Sequence, residues 1–154
     1  MKIFLLINIL LLFFGCSNTN YVAKNPPLVN LVVQQDKYSL VFKNQFYNNF
    51  ETYDKNLAEF IVETNLSFHT SDALSNNGND KLYIIKGTVD FKIFDKINSK
   101  IIKTGSISSS INTGSVSSLY SVDENNNFAK ERIAKYLASK LYRKFLLNTY
   151  TSEN

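Results

Sequence analysis

Cys16 is the only cysteine and His69 the only histidine in 154 residues, so the chain offers one thiol and one imidazole for any chemistry. A lone thiol excludes a disulfide framework, and a single imidazole argues against zinc sites of the usual Cys/His kind. His69 stands close to Asp72 in a serine-rich chain, and a Ser/His/Asp hydrolase needs those three residue types in mutual contact. There is no GxSxG elbow to present the serine, which makes a surface histidine the plainer reading. Glu59 and Glu63 would share one strand face about 13 Å apart by strand rise, too far for a paired-carboxylate site. Gly78, Asn79 and Asp80 lack the ligand spacing of an EF-hand calcium loop. The five glycines form neither GxGxxG nor a GxxxxGK phosphate loop, which argues against a nucleotide-binding enzyme. No catalytic residue, cofactor or metal site is expected.

The position of Cys16 is more informative than its chemistry in isolation. Lys2 is followed by an apolar run over residues 3–14, broken only by Asn8, and then by Gly15, Cys16 and Ser17. This is the pattern of a secretory signal peptide. The run is shorter than the roughly 20 residues a helix needs to cross a bilayer, which disfavours a permanent transmembrane anchor. Phe13-Phe14-Gly15-Cys16 resembles the lipobox of bacterial lipoproteins: Gly15 and Cys16 match, while both phenylalanines depart from the usual Leu and small residue. The resemblance implies cleavage before Cys16 and a diacylglycerol thioether on its sulfur. Acylation removes the one free thiol from an oxidising envelope, and three acyl chains hold far more firmly than one. Ser17 after the cysteine resembles lipoproteins sorted to the outer membrane.

The elements behind this segment follow from periodicity. Residues 17–27 are polar and carry both prolines, Pro26 and Pro27, and read as a tether. A short β-branched run over residues 28–33 suits a first strand. Tyr38, Phe42, Phe46 and Phe50 then recur every four residues, predicting a helix over 36–51 whose aromatic stripe packs against a sheet. Alternation over 57–69 puts Ala58, Phe60, Val62, Leu66 and Phe68 on one face. A polar loop is expected over 71–80. A second strand faces Tyr83, Ile85, Val89, Phe91 and Ile93 inward, and after a tight connection at 95–100 a third does the same with Ile101, Ile107 and Ile111. Beyond a polar segment at 112–118, Ile133, Leu137, Leu141 and Phe145 mark a second helix. Ser121 and Glu124 have capping-box spacing, but three successive asparagines at 125–127 favour a start nearer Phe128. Strands that are apolar on one face need a cover. The expected fold is an α+β two-layer sandwich: a four-stranded, mostly antiparallel sheet covered on one face by two helices, in the order β-α-β-β-β-α. The chain divides into a signal peptide (1–15), a lipidated N-terminus and tether (16–27), a single α+β domain (28–148) and a tail (149–154).

From residue 81 onward the chain resembles the LPS-assembly (LptE-like) lipoprotein family, in particular its α-proteobacterial branch. GTVDFKIFD at 87–95 and KIIKTGSIS at 100–108 resemble the family's strand, turn and strand. Tyr120 stands ahead of the final helix at the family's spacing, and AKERIAKYLA at 129–138 resembles its helix. The family's turn glycine is replaced here near Asn98 and Ser99. The resemblance implies an outer-membrane lipoprotein, facing the periplasm or a barrel lumen, that plugs and helps assemble the β-barrel inserting lipopolysaccharide into the outer leaflet.

Charge and polarity bear on those partners. The chain carries 17 basic and 13 acidic residues, a net +4. The final helix concentrates Lys130, Arg132, Lys135, Lys140, Arg143 and Lys144 around Glu131 alone, a set able to meet lipid A phosphates, anionic headgroups or acidic barrel residues. A solvated helix face that complements the dipole accounts for the same residues. Thr104, Thr113 and serines 106, 108, 109, 110, 115, 117 and 118 make the last strand and its following loop short and hydrogen-bonding, as packing in a polar barrel lumen requires. The family's lipopolysaccharide contacts lie in basic loops at one end of the sheet. Here residues 71–80 and 112–127 contain no Lys or Arg, so direct lipopolysaccharide contact stays open. Nucleic acid is not an expected partner of a secreted, lipid-anchored chain. The alternative reading is a free periplasmic lipid-anchored protein holding a small apolar ligand between helix and sheet.

Overall fold

The computed structural model describes residues 28–50, 57–74, 81–113 and 119–151. The signal peptide, Cys16, the tether, Gly78 to Asp80, Ser115, Ser117 and Ser118 lie outside them. The elements are β1 (Val29–Val32), α1 (Lys37–Tyr47), β2 (Phe60–Leu74), β3 (Lys81–Asp95), β4 (Lys100–Thr113) and α2 (Leu119–Thr151). They form one sheet in the order β1-β2-β3-β4. The β1–β2 pair is parallel, with α1 in the crossover that parallel pairing demands, and the other two pairs are antiparallel. Both helices contribute to a single core with the sheet, so the fold is the expected α+β sandwich.

α1 starts where Asp36, extended at φ −124° and ψ 164°, accepts hydrogen bonds from the amides of Tyr38 and Ser39. The Ser39 hydroxyl donates to the second carboxylate oxygen. Along the helix Phe42 and Phe46 are wholly buried, and Phe50 follows just past its end. The Phe46 ring meets Tyr142 and Phe145 of α2 at 6.1 and 6.5 Å, edge to face. The first ring of the stripe, Tyr38, meets Phe68 of the sheet at 5.3 Å. The aromatic stripe is core, as expected, but much of it packs on the second helix. The Tyr47 hydroxyl also accepts the Leu31 amide of β1 at 2.7 Å, closing part of that sheet edge.

The inner face of the sheet is built from Val62 and Leu66 of β2, Ile85, Val89, Phe91 and Ile93 of β3 and Ile107 of β4, all buried. Gly87 lies in the middle of this face. A Cβ there would stand 2.4 Å from Ile133 Cγ2, 3.1 Å from Phe68 and 3.3 Å from Leu137. The missing side chain lets α2 lie down on the sheet. Gly105 plays a smaller part: the Phe91 ring opposite it on β3 covers the space a side chain would take.

Five expectations need correction. β2 continues to Leu74 and β4 to Thr113, so residues 71–74 and 112–113 are strand rather than loop; the ladder needs backbone partners, and Ser71 to Leu74 find them in Ile84 to Lys81. Ile101 does not face inward. Ile93 pairs with Lys103 and Phe94 with Ile101, leaving Ile102 as an extra residue, and a bulge reverses the alternation. Ile102 therefore packs against the core while Ile101 is 52% exposed. The same strand parity puts Thr113, and in part Ser109, on the helix side. Finally, α2 begins at Leu119, well before Phe128, so Tyr120, Ser121, Glu124 and the asparagine triplet lie inside it. Tyr38 Oη donates to Asn127 Oδ1 at 2.6 Å, and such tertiary contacts outweigh a helix-propensity cost of up to about 0.7 kcal/mol per residue. At its other end α2 runs to Thr151, past the tail boundary drawn at 149, with Thr149 buried.

Gly87→Ala should destabilise the domain by about 1–3 kcal/mol through overpacking against Ile133, read as a fall in the urea midpoint; an unchanged midpoint would show that α2 can step back freely. Partial burial raises the Asp36 pKa, but the Ser39 hydroxyl and the Ser39 and Tyr38 amides outweigh it and hold the carboxyl below 3.8. Its stabilisation is complete above that value and is lost as pH falls through the lower folded value. Asp36→Ala should accordingly cost about 1 kcal/mol at neutral pH, with the gap to wild type narrowing in strongly acidic buffer.

Candidate functional site

With both helices on one side, no element among the described residues covers the other face of the sheet. Glu63, Asn65, Ser67, His69 and Ser71 of β2, Lys86, Asp90 and Lys92 of β3, and Thr104, Ser106, Ser108 and Ser110 of β4 are all exposed. The central cross-strand rows are polar: Glu63, Lys92 and Thr104 align, as do Asn65, Asp90 and Ser106, while the end rows bring Ile61, Phe94 and Ile101 together and set Ile84 beside Ser71. An open depression of about 390 Å³ follows the central rows. β2, β3 and β4 are 15, 15 and 14 residues long, so the face extends close to 50 Å at about 3.3 Å per residue. β4 leaves one edge of this face without a neighbouring strand. His69 belongs here, opposite Lys86. Asp72, three residues on, points to the other face by strand parity, so the strand does not bring the two together.

The six basic residues of α2 do not form one patch, because a helix turns 100° per residue and distributes them around itself. Lys130 is half-buried, with its ammonium 5.7 Å from the Tyr38 ring. Lys144 lies over Phe91 at 5.5 Å, and Lys140 reaches towards the Ser108 carbonyl at 3.5 Å. Glu131 pairs with Lys37 of α1 at 3.0 Å and so ties the helices together. The Lys37 ammonium is held above its ordinary pKa chiefly by that hydrogen bond to Glu131. Arg132, Lys135, Lys140 and Arg143 are the exposed members.

Arg132 and Lys135 line a groove between α2 and β4 together with Ser109, Ile111, Ile133 and Tyr136. Phe128 and Tyr136, 60% and 56% exposed, flank Arg132 at four-residue spacing. Sequence reasoning grouped these helix cations by number and passed over the two aromatics. The period 128, 132, 136 was available to find them. The groove combines cations with apolar and aromatic walls, an arrangement suited to an amphiphile or an acidic protein surface.

A four-stranded sheet with two helices on one face is a fold also found among bacterial lipoproteins. Neither a family model nor a curated protein matches the sequence. Among solved structures, the chain resembles a candidate lipoprotein from Caulobacter crescentus at TM-score 0.61 and 14% identity, over 81% of this chain and 90% of that one. It resembles a minor lipoprotein from Acinetobacter baumannii at TM-score 0.60 and 15% identity, over 82% and 94%. Rare lipoprotein B from Shewanella oneidensis matches at TM-score 0.59 and 10% identity, over 82% and 99%. At these identities the likeness is one of fold, and it extends over nearly the whole of each lipoprotein.

The two kinds of lysine and arginine on α2 should separate in a stability measurement. Lys144→Gln should lower the unfolding free energy by about 0.5–1 kcal/mol through loss of its contact with Phe91. Arg132→Gln and Lys135→Gln should stay within about 0.5 kcal/mol of wild type. Equal losses at all three positions would contradict the division.

Proposed function

We propose that the chain is an outer-membrane lipoprotein, anchored through Cys16, that acts as plug and assembly partner of the β-barrel inserting lipopolysaccharide into the outer leaflet. The observation that carries this reading is the uncovered sheet face, whose central rows, from Glu63 to His69 of β2 and across β3 and β4, are lined with Ser, Thr, Asn and charges of both signs. A plug must present such a surface, because the lumen of a large outer-membrane barrel is polar and wet. The lipobox resemblance of residues 13–16, the LptE-like motifs at 87–108 and 129–138, and a fold shared with rare lipoprotein B point the same way. On this reading the chain is not an enzyme, and its partners are the barrel and the membrane that holds its lipid. The basic groove on α2 is the place for a further contact with barrel acids or lipopolysaccharide phosphates, through Arg132 and Lys135 in particular. A small apolar ligand between helix and sheet has less to support it: the space between the layers is filled by Phe42, Phe46, Leu137, Leu141 and Phe145, all fully buried.

Extraction of native membranes in mild detergent, followed by affinity purification of the full chain, should recover a large β-barrel in near-equal amount. Recovery of the lipoprotein alone, with barrel assembly unchanged in its absence, would sink the plug reading. Cys16→Ser should release the chain from the outer-membrane fraction and remove the acyl mass from its N-terminal peptide.

A further inference from the structure

The end of the sheet at which the tether joins has its own surface chemistry. Leu28, the first described residue, accepts hydrogen bonds through its carbonyl from the amides of Glu59 and Phe60, at 3.0 and 3.2 Å. The Lys96 amide in turn donates to the Glu59 carbonyl at 2.9 Å. The start of β1, the start of β2 and the β3–β4 turn are therefore side by side. Within the turn Asp95 accepts from the amides of Ile97 and Asn98, both at 2.9 Å, and from Asn98 Nδ2 at 2.7 Å. Ser99 completes the reversal at φ 51°. The carboxylate is consumed within the turn, and the backbone it holds leaves Ile97 79% exposed.

Ile97 is not isolated. Leu57 (62% exposed) and Ile101 (52%) stand at the same end, with Ile101 turned outward by the bulge at Ile102. Lys96 flanks Ile97 in the turn, Lys100 begins β4 next to Ile101, and Lys103 follows on the strand's other face; all three are exposed, as is Glu59. An apolar tip with lysines beside it has the composition of an interfacial anchor, in which apolar side chains enter the headgroup layer while ammonium groups meet anionic lipid.

Geometry decides which end can reach a bilayer. From Cys16 to Leu28 is 12 residues, spanning at most about 40 Å fully extended. The opposite end of the β2–β3 hairpin lies 14 residues along the strand from Phe60, about 46 Å away. A lipid on Cys16 can hold the β3–β4 turn at the membrane surface and cannot stand the domain on its far end.

We infer that the β3–β4 turn, with Ile97 at its tip and Lys96, Lys100 and Lys103 near it, docks on the anionic leaflet that holds the lipid anchor and stands the domain upright on the membrane before a barrel is engaged. The inference rests on the anchor at Cys16 and is independent of the barrel partner.

Acylation occupies the thiol of Cys16, so Ile97→Cys and Asp72→Cys each add a single labelling site to the full-length lipoprotein. Both variants, carrying an environment-sensitive fluorophore, are reconstituted in vesicles of phosphatidylethanolamine and phosphatidylglycerol. Quenching by brominated lipid should be about threefold stronger at position 97 than at 72. Changing Lys96, Lys100 and Lys103 to Gln should reduce it by about twofold. Protein that does not float with vesicles overturns the anchor and the docking together. Protein that floats while both probes are equally wet overturns the docking alone. A probe at 97 that becomes dry only in native membranes containing the barrel assigns the tip to a protein partner and likewise overturns the lipid contact.

Discussion

The close approach of α2 to the sheet at Gly87 is the constraint on which the rest of the molecule depends. With no side chain at 87, Ile133 and Leu137 come down against β3, and the helix covers the apolar rows of β3 and β4 in one pass. α1 then has α2 beside it as well as the sheet, and its aromatic rings fill the seam between them. The Lys37–Glu131 pair and the hydrogen bond from Tyr38 to Asn127 fix the two helices side by side. Because all the cover lies on one side, the other face of the sheet is free to be polar. The division into a buried and a bare face is thus a consequence of packing, and the functional surface is what the packing leaves over.

Much of this was legible in the chain. The repeats of four at Tyr38 to Phe50 and at Ile133 to Phe145, and the alternations around Val62 and Val89, give the elements and their order, because burial on one face imposes those periods. Three features were hidden for physical reasons. A strand can continue through polar residues when a neighbour supplies its hydrogen bonds, as at Ser71 to Leu74. A single extra residue, Ile102, reverses which isoleucine is inside without altering composition. The asparagine triplet is a weak local helix former held in place by a contact 89 residues away in sequence. Of the candidate site, the residue types on α2 could be read directly but their separation could not. Counting cations along a helix says nothing about which of them lean on Tyr38 or Phe91.

The fold likeness to several bacterial lipoproteins and the lipobox-like sequence around Cys16 bear on different parts of the chain. One concerns the shape of residues 28 onward, the other how the N-terminus is handled. The sheet links them: its tether end is apolar and basic, its broad face is neutral and hydrogen-bonding, and its helical side is sealed. Each surface fits a different environment.

The exposed edge of β4 has a further consequence. Among the described residues no strand pairs with the outer edge of β4, and fourteen residues of open strand would ordinarily invite a second copy to add on and grow into a fibre. This edge instead carries lysines and a bulge at one end and a serine-rich middle, residues with little apolar surface to zip against their own kind. The opposite edge is shielded in part by the Tyr47 hydroxyl on Leu31. The strand can therefore stay open with little tendency to zip against its own copies, without burying the backbone it exposes.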